Sequence, residues 1–422
     1  MSNFKYRKNI FYVENLSIKN LVKNYGTPFY CYSLNSIVEK FKEFNKPFIN
    51  QNITICYAVK ANPNIAILKI LSQLGCGVEV VSKGELERAF KAKISNKKIV
   101  FSGVGKTSEE IEYAIKKNIL QINVESVEEI RLISKLANKV KKKVGVSIRI
   151  NPNIDAGTHK KITTGKSENK FGLDTKDAEL LFKNYKNDPN VNIQGISIHI
   201  GSQITNMNPF IRSFKKLNDF VKKINKNGHS IKYLDLGGGI GIPYKKEKVI
   251  NHKHYSENVL KISKEFNCNI ILEPGRVLIA ESGILISKVI YIKKNKNNNF
   301  VILDTGMNDL IRPALYESHH EVLPATKNKY ARNMYTIVGP ICESADTFIK
   351  KTYLNKIKIN DILFFKNTGA YGASMSSNYN SRPIIPEIMV YQNQSTIIRN
   401  RELVSKQISK EKIPKYIKKI KY

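Results

Sequence analysis

No stretch of this 422-residue chain approaches the roughly 18 consecutive apolar residues of a membrane-spanning helix. The opening, MSNFKYRKNI, lacks the apolar core of a secretory signal, so export is not expected. Cysteine is scarce: the five are Cys31, Cys56, Cys76, Cys268 and Cys342, an odd number with no CxxC pair. That excludes a disulfide framework and fits a reducing, cytoplasmic setting. Four of them sit in apolar surroundings, whereas Cys342 is followed by Glu343, Ser344 and Asp346 in a loop-like stretch. Acidic residues are few, 35 against 70 lysines and arginines, for a formal charge of +35. Clustered basic charge is the footprint of nucleic-acid binding. Here the lysines are dispersed, no RNA-module motif or zinc-finger spacing occurs, and Lys, Asn and Ile are abundant throughout. We read the charge as compositional and expect neither nucleic acid nor a membrane as partner. The field should still attract anionic substrates or cofactors. The densest basic stretch is the tail, 406–422.

What the chain does contain is a series of short Ile- and Val-rich runs at 53–61, 78–82, 99–103, 120–124, 144–150, 193–200, 231–239 and 269–275. Each is nearly continuous in apolar character, as a strand buried on both faces should be. Amphipathic segments such as 108–117 and 126–140 separate them. Their acidic first turns, Glu109-Glu110 and Glu128-Glu129, favour helix starts. The alternation predicts an α/β fold, a (β/α)8 TIM-type barrel. One connection, 151–174, is long and polar and leaves the end of the fifth strand, so it is expected to serve function. After residue 282 short β-rich runs follow one another without long helices, which predicts a second, mostly β domain. The strand-like TPFYCYS near the N-terminus should join it. The expected divisions are 1–33, an N-terminal strand segment of the β domain; 34–282, the barrel; and 283–422, the C-terminal β domain with its basic tail.

Barrels of this kind carry their active sites at the C-terminal ends of the strands. Four of the runs end in chemically loaded residues: Lys60, His199, the run Gly237-Gly238-Gly239, and Glu273-Pro274-Gly275-Arg276. A lysine in apolar or cationic surroundings has a lowered pKa and an amine free to form an imine. The glycine run is not GxGxxG, since Ile242 interrupts it, but its backbone N–H groups suit a phosphate. A carboxylate at Glu273 suits a pyridine nitrogen, and Arg276 suits a carboxylate. His199 suits stacking on a planar cofactor, with Ser202 on phosphate. Together they suit pyridoxal phosphate (PLP). Two lookalikes are dismissed. Gly105-Lys106-Thr107 lacks the glycine of a P-loop at position 100, where Val100 stands. His319-His320 with Glu321 has no metal-ligand spacing, and no metal is expected. Both read as ordinary loop residues.

At this point the residues resemble the diaminopimelate decarboxylases, members of the alanine-racemase-like class of PLP enzymes. The resemblance runs from about residue 25 to about residue 400. It is carried by Tyr57–Asn62, Asn151-Pro152 through Lys170-Phe171-Gly172, His199–Gln203, Glu273–Arg276, Asp304–Tyr316, Cys342–Asp346, Gly369–Gly372 and 374–383. It implies a barrel, a β domain and a homodimer with shared active sites. Lys60 would link the cofactor covalently, His199 would stack on it and Glu273 would hold its ring nitrogen. Ser202, Gly239, Gly275, Arg276 and Tyr371 would surround the phosphate. Arg276, Arg312, Tyr316 and Tyr371 would bind substrate. Cys342, as proton donor, and Glu343, at the distal amino group, would come from the partner subunit. The implied reaction converts meso-2,6-diaminoheptanedioate (diaminopimelate) to L-lysine and carbon dioxide. Ornithine and arginine lack a distal carboxylate and would not need both arginines. A regulatory relative without activity would be expected to lose Lys60 or Cys342, and both are present. Lys83 and Ala345 stand where glycine is usual, but neither departure removes a chemical group.

Overall fold

The computed structural model describes residues 3–166, 168–245, 247–296 and 298–419, so the end of the basic tail, 420–422, lies outside it. The chain forms two compact units. One is Leu34–Ser282 with Gly369–Ser374; the other is Met1–Ser33, Gly283–Thr368 and Met375–Tyr422.

Among the described residues of the first unit, eight parallel strands close into a barrel in chain order. They are Ile53–Ala58, Gly77–Val80, Ile99–Phe101, Gln121–Val124, Val144–Arg149, Val191–Ser197, Tyr233–Asp235 and Asn269–Leu272. Closure is made by the last strand pairing with the first, Ile270 opposite Ile53. The expected fold class is therefore correct, but several strands stop sooner than the apolar runs imply. The loaded residues lie in the turns just beyond the strands. The helices start as the sequence indicates. Ser126 caps Val127–Lys139 by accepting from Glu129 N–H, and Thr107 closes a capping box with Glu110. Each such cap is worth about 1 kcal/mol.

The barrel interior is more polar than its apolar runs imply. Glu79, Gln121, Asn123, Ser147, Arg149, Ser197 and Asp235 are all buried. Asn123 Nδ2 donates to Ser102 Oγ at 3.0 Å and to Asp235 Oδ2 at 2.9 Å, which satisfies amide and carboxylate away from water. The connection 151–174 packs behind the sixth strand's end: Ser202 N–H donates to Ile162 O and Thr164 Oγ1 to His199 O. It backs the His199–Ser202 turn.

In the second unit the long strand Gly283–Lys294 organises the sheet. It pairs antiparallel with Phe29–Ser33, with Ile362–Phe365 and with Asn299–Leu303. Strand Phe29–Ser33, from TPFYCYS, thus joins the β sheet. A small antiparallel sheet of Phe4–Arg7, Ile10–Val13 and Leu16–Ser17 was not expected from sequence. The expected C-terminal block 283–422 is also interrupted. Residues 369–374 group with the barrel, because Tyr371 N–H and Ser374 Oγ both donate to Ala61 O. No helix among the described residues is long and apolar enough to cross a membrane.

Candidate active site

Lys60 lies in the single turn Val59–Ala61 that follows the first barrel strand. Its Nζ meets Glu79 Oε2 at 2.9 Å and Oε1 at 3.2 Å. Glu79, 1% exposed, is the register partner of Ala58 on the second strand. Burial works to lower the Lys60 pKa, but the Glu79, Tyr371 and Glu273 side chains outweigh it and the ammonium is favoured. The expectation of apolar or cationic surroundings is corrected: a buried carboxylate faces the amine.

Glu273 follows the eighth strand and is buried. Burial first, then the like charges of Asp235 and Glu79, hold its carboxyl well above the usual range, against the pull of Lys60. Burial likewise pushes Asp235 up to about 6, and the two carboxyls hydrogen-bond each other. Each carboxyl thus favours its neutral form more than an exposed one does. Glu273 Oε1 has no partner among the described residues. Because its folded pKa is raised, Glu273 contributes stability that is present below the unfolded value near 4.5 and is lost as pH rises through the folded value. Glu273→Gln cannot ionise. It is expected to raise the melting temperature at pH 8, without added cofactor, by a few degrees. The gain should narrow as pH falls towards 4.5. A gain independent of pH would refute the buried, protonated carboxyl.

Arg276 does not turn to Glu273. Its Nη1 donates to Tyr244 Oη at 2.7 Å and its Nη2 to Ser202 Oγ at 3.2 Å. The guanidinium carbon lies 4.7 Å from the Tyr371 ring centroid, a cation–π contact. Tyr371 sits at φ 56°, in the left-handed region, and its N–H is held by Ala61 O at 2.7 Å. A non-glycine residue there costs energy that the surrounding bonds offset, a pattern common at ligand sites. Gly275 lies beside it, where a Cβ would sit 3.4 Å from Tyr371 Oη and 3.1 Å from Ala61 Cβ. Pro274 contributes its carbonyl to Ala58 N–H.

His199 is neutral: burial, then the charges of Lys60 and Arg149, hold its pKa well below the usual value. Its Nδ1 accepts from Gly238 N–H at 3.2 Å, which leaves the proton on Nε2. The glycine run is only partly the expected cradle. Gly237 N–H is spent on Asp235 Oδ1 and Gly238 N–H on His199, so of the three only Gly239 N–H finds no acceptor among the described residues. The glycines are required for another reason. A Cβ on Gly238 would sit 2.0 Å from Glu273 O, and one on Gly239 2.1 Å from Gly201 O.

The β unit carries the other sequence-derived residues. Arg312, 4% exposed, opens the helix Arg312–Tyr316, and its Nη1 meets His320 Nε2 at 2.7 Å. Tyr316 ends that helix. Cys342 is an exposed thiol. It rides on a turn clamped by Asp346, whose carboxylate accepts from Met307 N–H and Ile341 N–H, both at 2.7 Å. Glu343 accepts a hydrogen bond from Tyr379 Oη.

Sequence reasoning missed four supporting residues. Glu79 and Asp235 were detectable as lone acids in apolar strands. Tyr244 gave no signal. His320 was dismissed as an ordinary loop residue, yet it is 1% exposed and holds Arg312. Lys106, dismissed likewise, has a side chain only 1% exposed that pairs with Glu129 at 2.5 Å.

The barrel residues fit PLP. An amine, a buried carboxyl oxygen with no partner, a neutral imidazole, and a polar group of Ser202, Arg276 and Gly239 N–H are the donor set that its aldehyde, ring nitrogen, ring face and phosphate need. Residues 34–280 match the pyridoxal binding domain of the pyridoxal-dependent decarboxylases. The diaminopimelate decarboxylase of Zymomonas mobilis is 42% identical over 409 residues, 96% of this chain and 97% of that protein. The crystal structure of the Helicobacter pylori diaminopimelate decarboxylase complexed with L-lysine is 41% identical with a TM-score of 0.90, over 93% of this chain and 98% of the other. That of the M. jannaschii enzyme in co-complex with L-lysine is 36% identical with a TM-score of 0.93, over 98% and 99%. With its loaded turns on a closed barrel and this likeness along nearly its whole length, the chain belongs to the diaminopimelate decarboxylase family of pyridoxal-dependent decarboxylases.

Proposed function

We propose that the protein decarboxylates meso-diaminopimelate to L-lysine and carbon dioxide, the last step of lysine biosynthesis. The near-full-length likeness to diaminopimelate decarboxylases carries this reading. PLP, when bound, supplies an electron sink conjugated to the substrate's reacting carbon. Lys60 provides the amine that attaches it. Glu273 would face the ring nitrogen and pass to it the proton that burial favours on its carboxyl, holding the nitrogen protonated against the resulting carboxylate, and neutral His199 would cover the ring. Ser202, Arg276, Gly239, Gly275 and Tyr371 hold the phosphate. Gly237, Gly238 and Pro274 shape the turns behind it. Arg276, Arg312, Tyr316 and Tyr371 bind the substrate, and Glu343 takes its distal ammonium. As the bond to the departing carboxylate breaks, carbon dioxide leaves, and Cys342 delivers a proton to the carbon left behind. Carbon dioxide release from meso-diaminopimelate, ornithine and arginine, measured side by side, tests the reading. Release mainly from ornithine or arginine would overturn it.

The proposal includes a homodimer in which Cys342 and Glu343 serve the other subunit's Lys60. The support is that both stand in the β unit, apart in sequence from every barrel strand end. Mixing inactive Lys60→Ala with inactive Cys342→Ala subunits is expected to restore up to about a quarter of the activity, through hybrids with one intact site. No recovery despite demonstrated subunit exchange would refute sharing. A cytoplasmic location is proposed from the free cysteines, and cell fractionation would check it.

A further inference from the structure

We propose that His320 is a positioning residue that aims the Arg312 guanidinium at the substrate carboxylate that is retained in the product. This rests on the role given to Arg312 above. The helix Arg312–Tyr316 ends at Glu317, which takes a left-handed φ of 52° and returns its N–H to Arg312 O. The chain then doubles back, and His320 Nε2 arrives 2.7 Å from Arg312 Nη1. A guanidinium only donates, so Nε2 must accept. The ring proton is therefore on Nδ1, which donates to Lys366 O at 2.9 Å. One tautomer of a neutral imidazole is fixed between a cation and a carbonyl.

The carbonyl is itself anchored. Lys366 N–H donates to Glu321 O at 2.9 Å, continuing the ladder in which Val322–Pro324 pairs with Ile362–Phe365. A rigid sheet edge thus sets the ring, and the ring sets one N–H of Arg312. The choice of imidazole has an electrostatic consequence. A carboxylate in this place would neutralise the guanidinium and compete with the substrate. A neutral acceptor orients it without itself neutralising the positive charge. Such a contact governs how a carboxylate is held and not how a bond is broken. Its loss belongs in KM.

The test uses the holoenzyme and two inhibitors that differ by one carboxylate, L-lysine and 1,5-diaminopentane. His320→Asn keeps a donor for Lys366 O but falls short of Arg312; His320→Gln places a carbonyl within its reach. His320→Asn is expected to raise KM for meso-diaminopimelate and the L-lysine inhibition constant about tenfold. It should leave kcat and inhibition by 1,5-diaminopentane within about twofold. His320→Gln should recover most of the loss. Should His320→Asn fail to fold, His320→Ser, which admits a water, takes its place. Equal weakening of both inhibitors, a fall in kcat at unchanged KM, or no change at all would overturn the inference. Arg312→Ala, run on the same pair, separates the two claims. If it weakens L-lysine selectively while His320→Asn does not, His320 fails and the role of Arg312 stands. If it weakens both inhibitors equally, both fall.

Discussion

Lys60→Ala is expected to abolish the visible absorption of the protein-bound cofactor and to reduce turnover by at least about 1,000-fold. In the proposed function the amine is the group that attaches the cofactor covalently, and no neighbour in the turn Val59–Ala61 can replace it. The substitution also removes the partner of Glu79, which is 1% exposed. The Lys60 side chain is itself 39% exposed, so water moderates that loss and the variant should fold. An added primary amine of similar length should return part of the activity, since the missing function is chemical rather than architectural. Retained colour and turnover in Lys60→Ala would remove the central assignment of the barrel site.

Arg312→Ala should show the second largest effect, and it should depend on substrate. A buried carboxylate that loses its guanidinium forfeits about 3–5 kcal/mol, which is roughly 10²–10⁴ in kcat/KM. Diaminopimelate carries a carboxylate at each end, so its turnover should fall by that factor. Trace decarboxylation of lysine or ornithine, which lack the second carboxylate, should change little. Arg276 is a less direct test, because it also contacts Ser202 and Tyr371 within the expected phosphate pocket. Equal losses on all substrates in Arg312→Ala would make Arg312 structural.

The barrel was readable because parallel strands covered on both faces need unbroken apolar runs, and Ile270-Ile271-Leu272 or Ile99-Val100-Phe101 are such runs. The candidate site was proposed from sequence for a related reason: Lys60, His199 and Glu273 interrupt apolar surroundings at strand ends. Exact strand limits were not, since an apolar residue in a turn looks like one in a ladder. Strand 231–239 shrinks to Tyr233–Asp235 because the glycines that follow turn the chain. The role of those glycines was only half visible. Freedom from a Cβ suits a phosphate and a crowded strand end alike, and only coordinates separate the two. Pairings such as Lys60 with Glu79 or Arg312 with His320 depend on register and on how a chain doubles back. The small sheet at residues 4–17 is built from strands of at most four residues, too short for a period to show.

The tie between Tyr371 and Ala61 has a consequence for how the protein is made. Residues 369–374 complete the barrel unit, although the last barrel strand ends at Leu272. During synthesis the eight strands emerge from the ribosome long before Tyr371 does. The nascent barrel can close, but the proposed phosphate pocket lacks a wall until nearly the whole polypeptide is out. A fragment ending at residue 282 would inherit the barrel and its lysine and still be a poor trap for the cofactor. Selective pressure on the pocket therefore reaches far beyond the last barrel strand in sequence, and the contiguous segment 34–282 cannot be exchanged between relatives as an independent module.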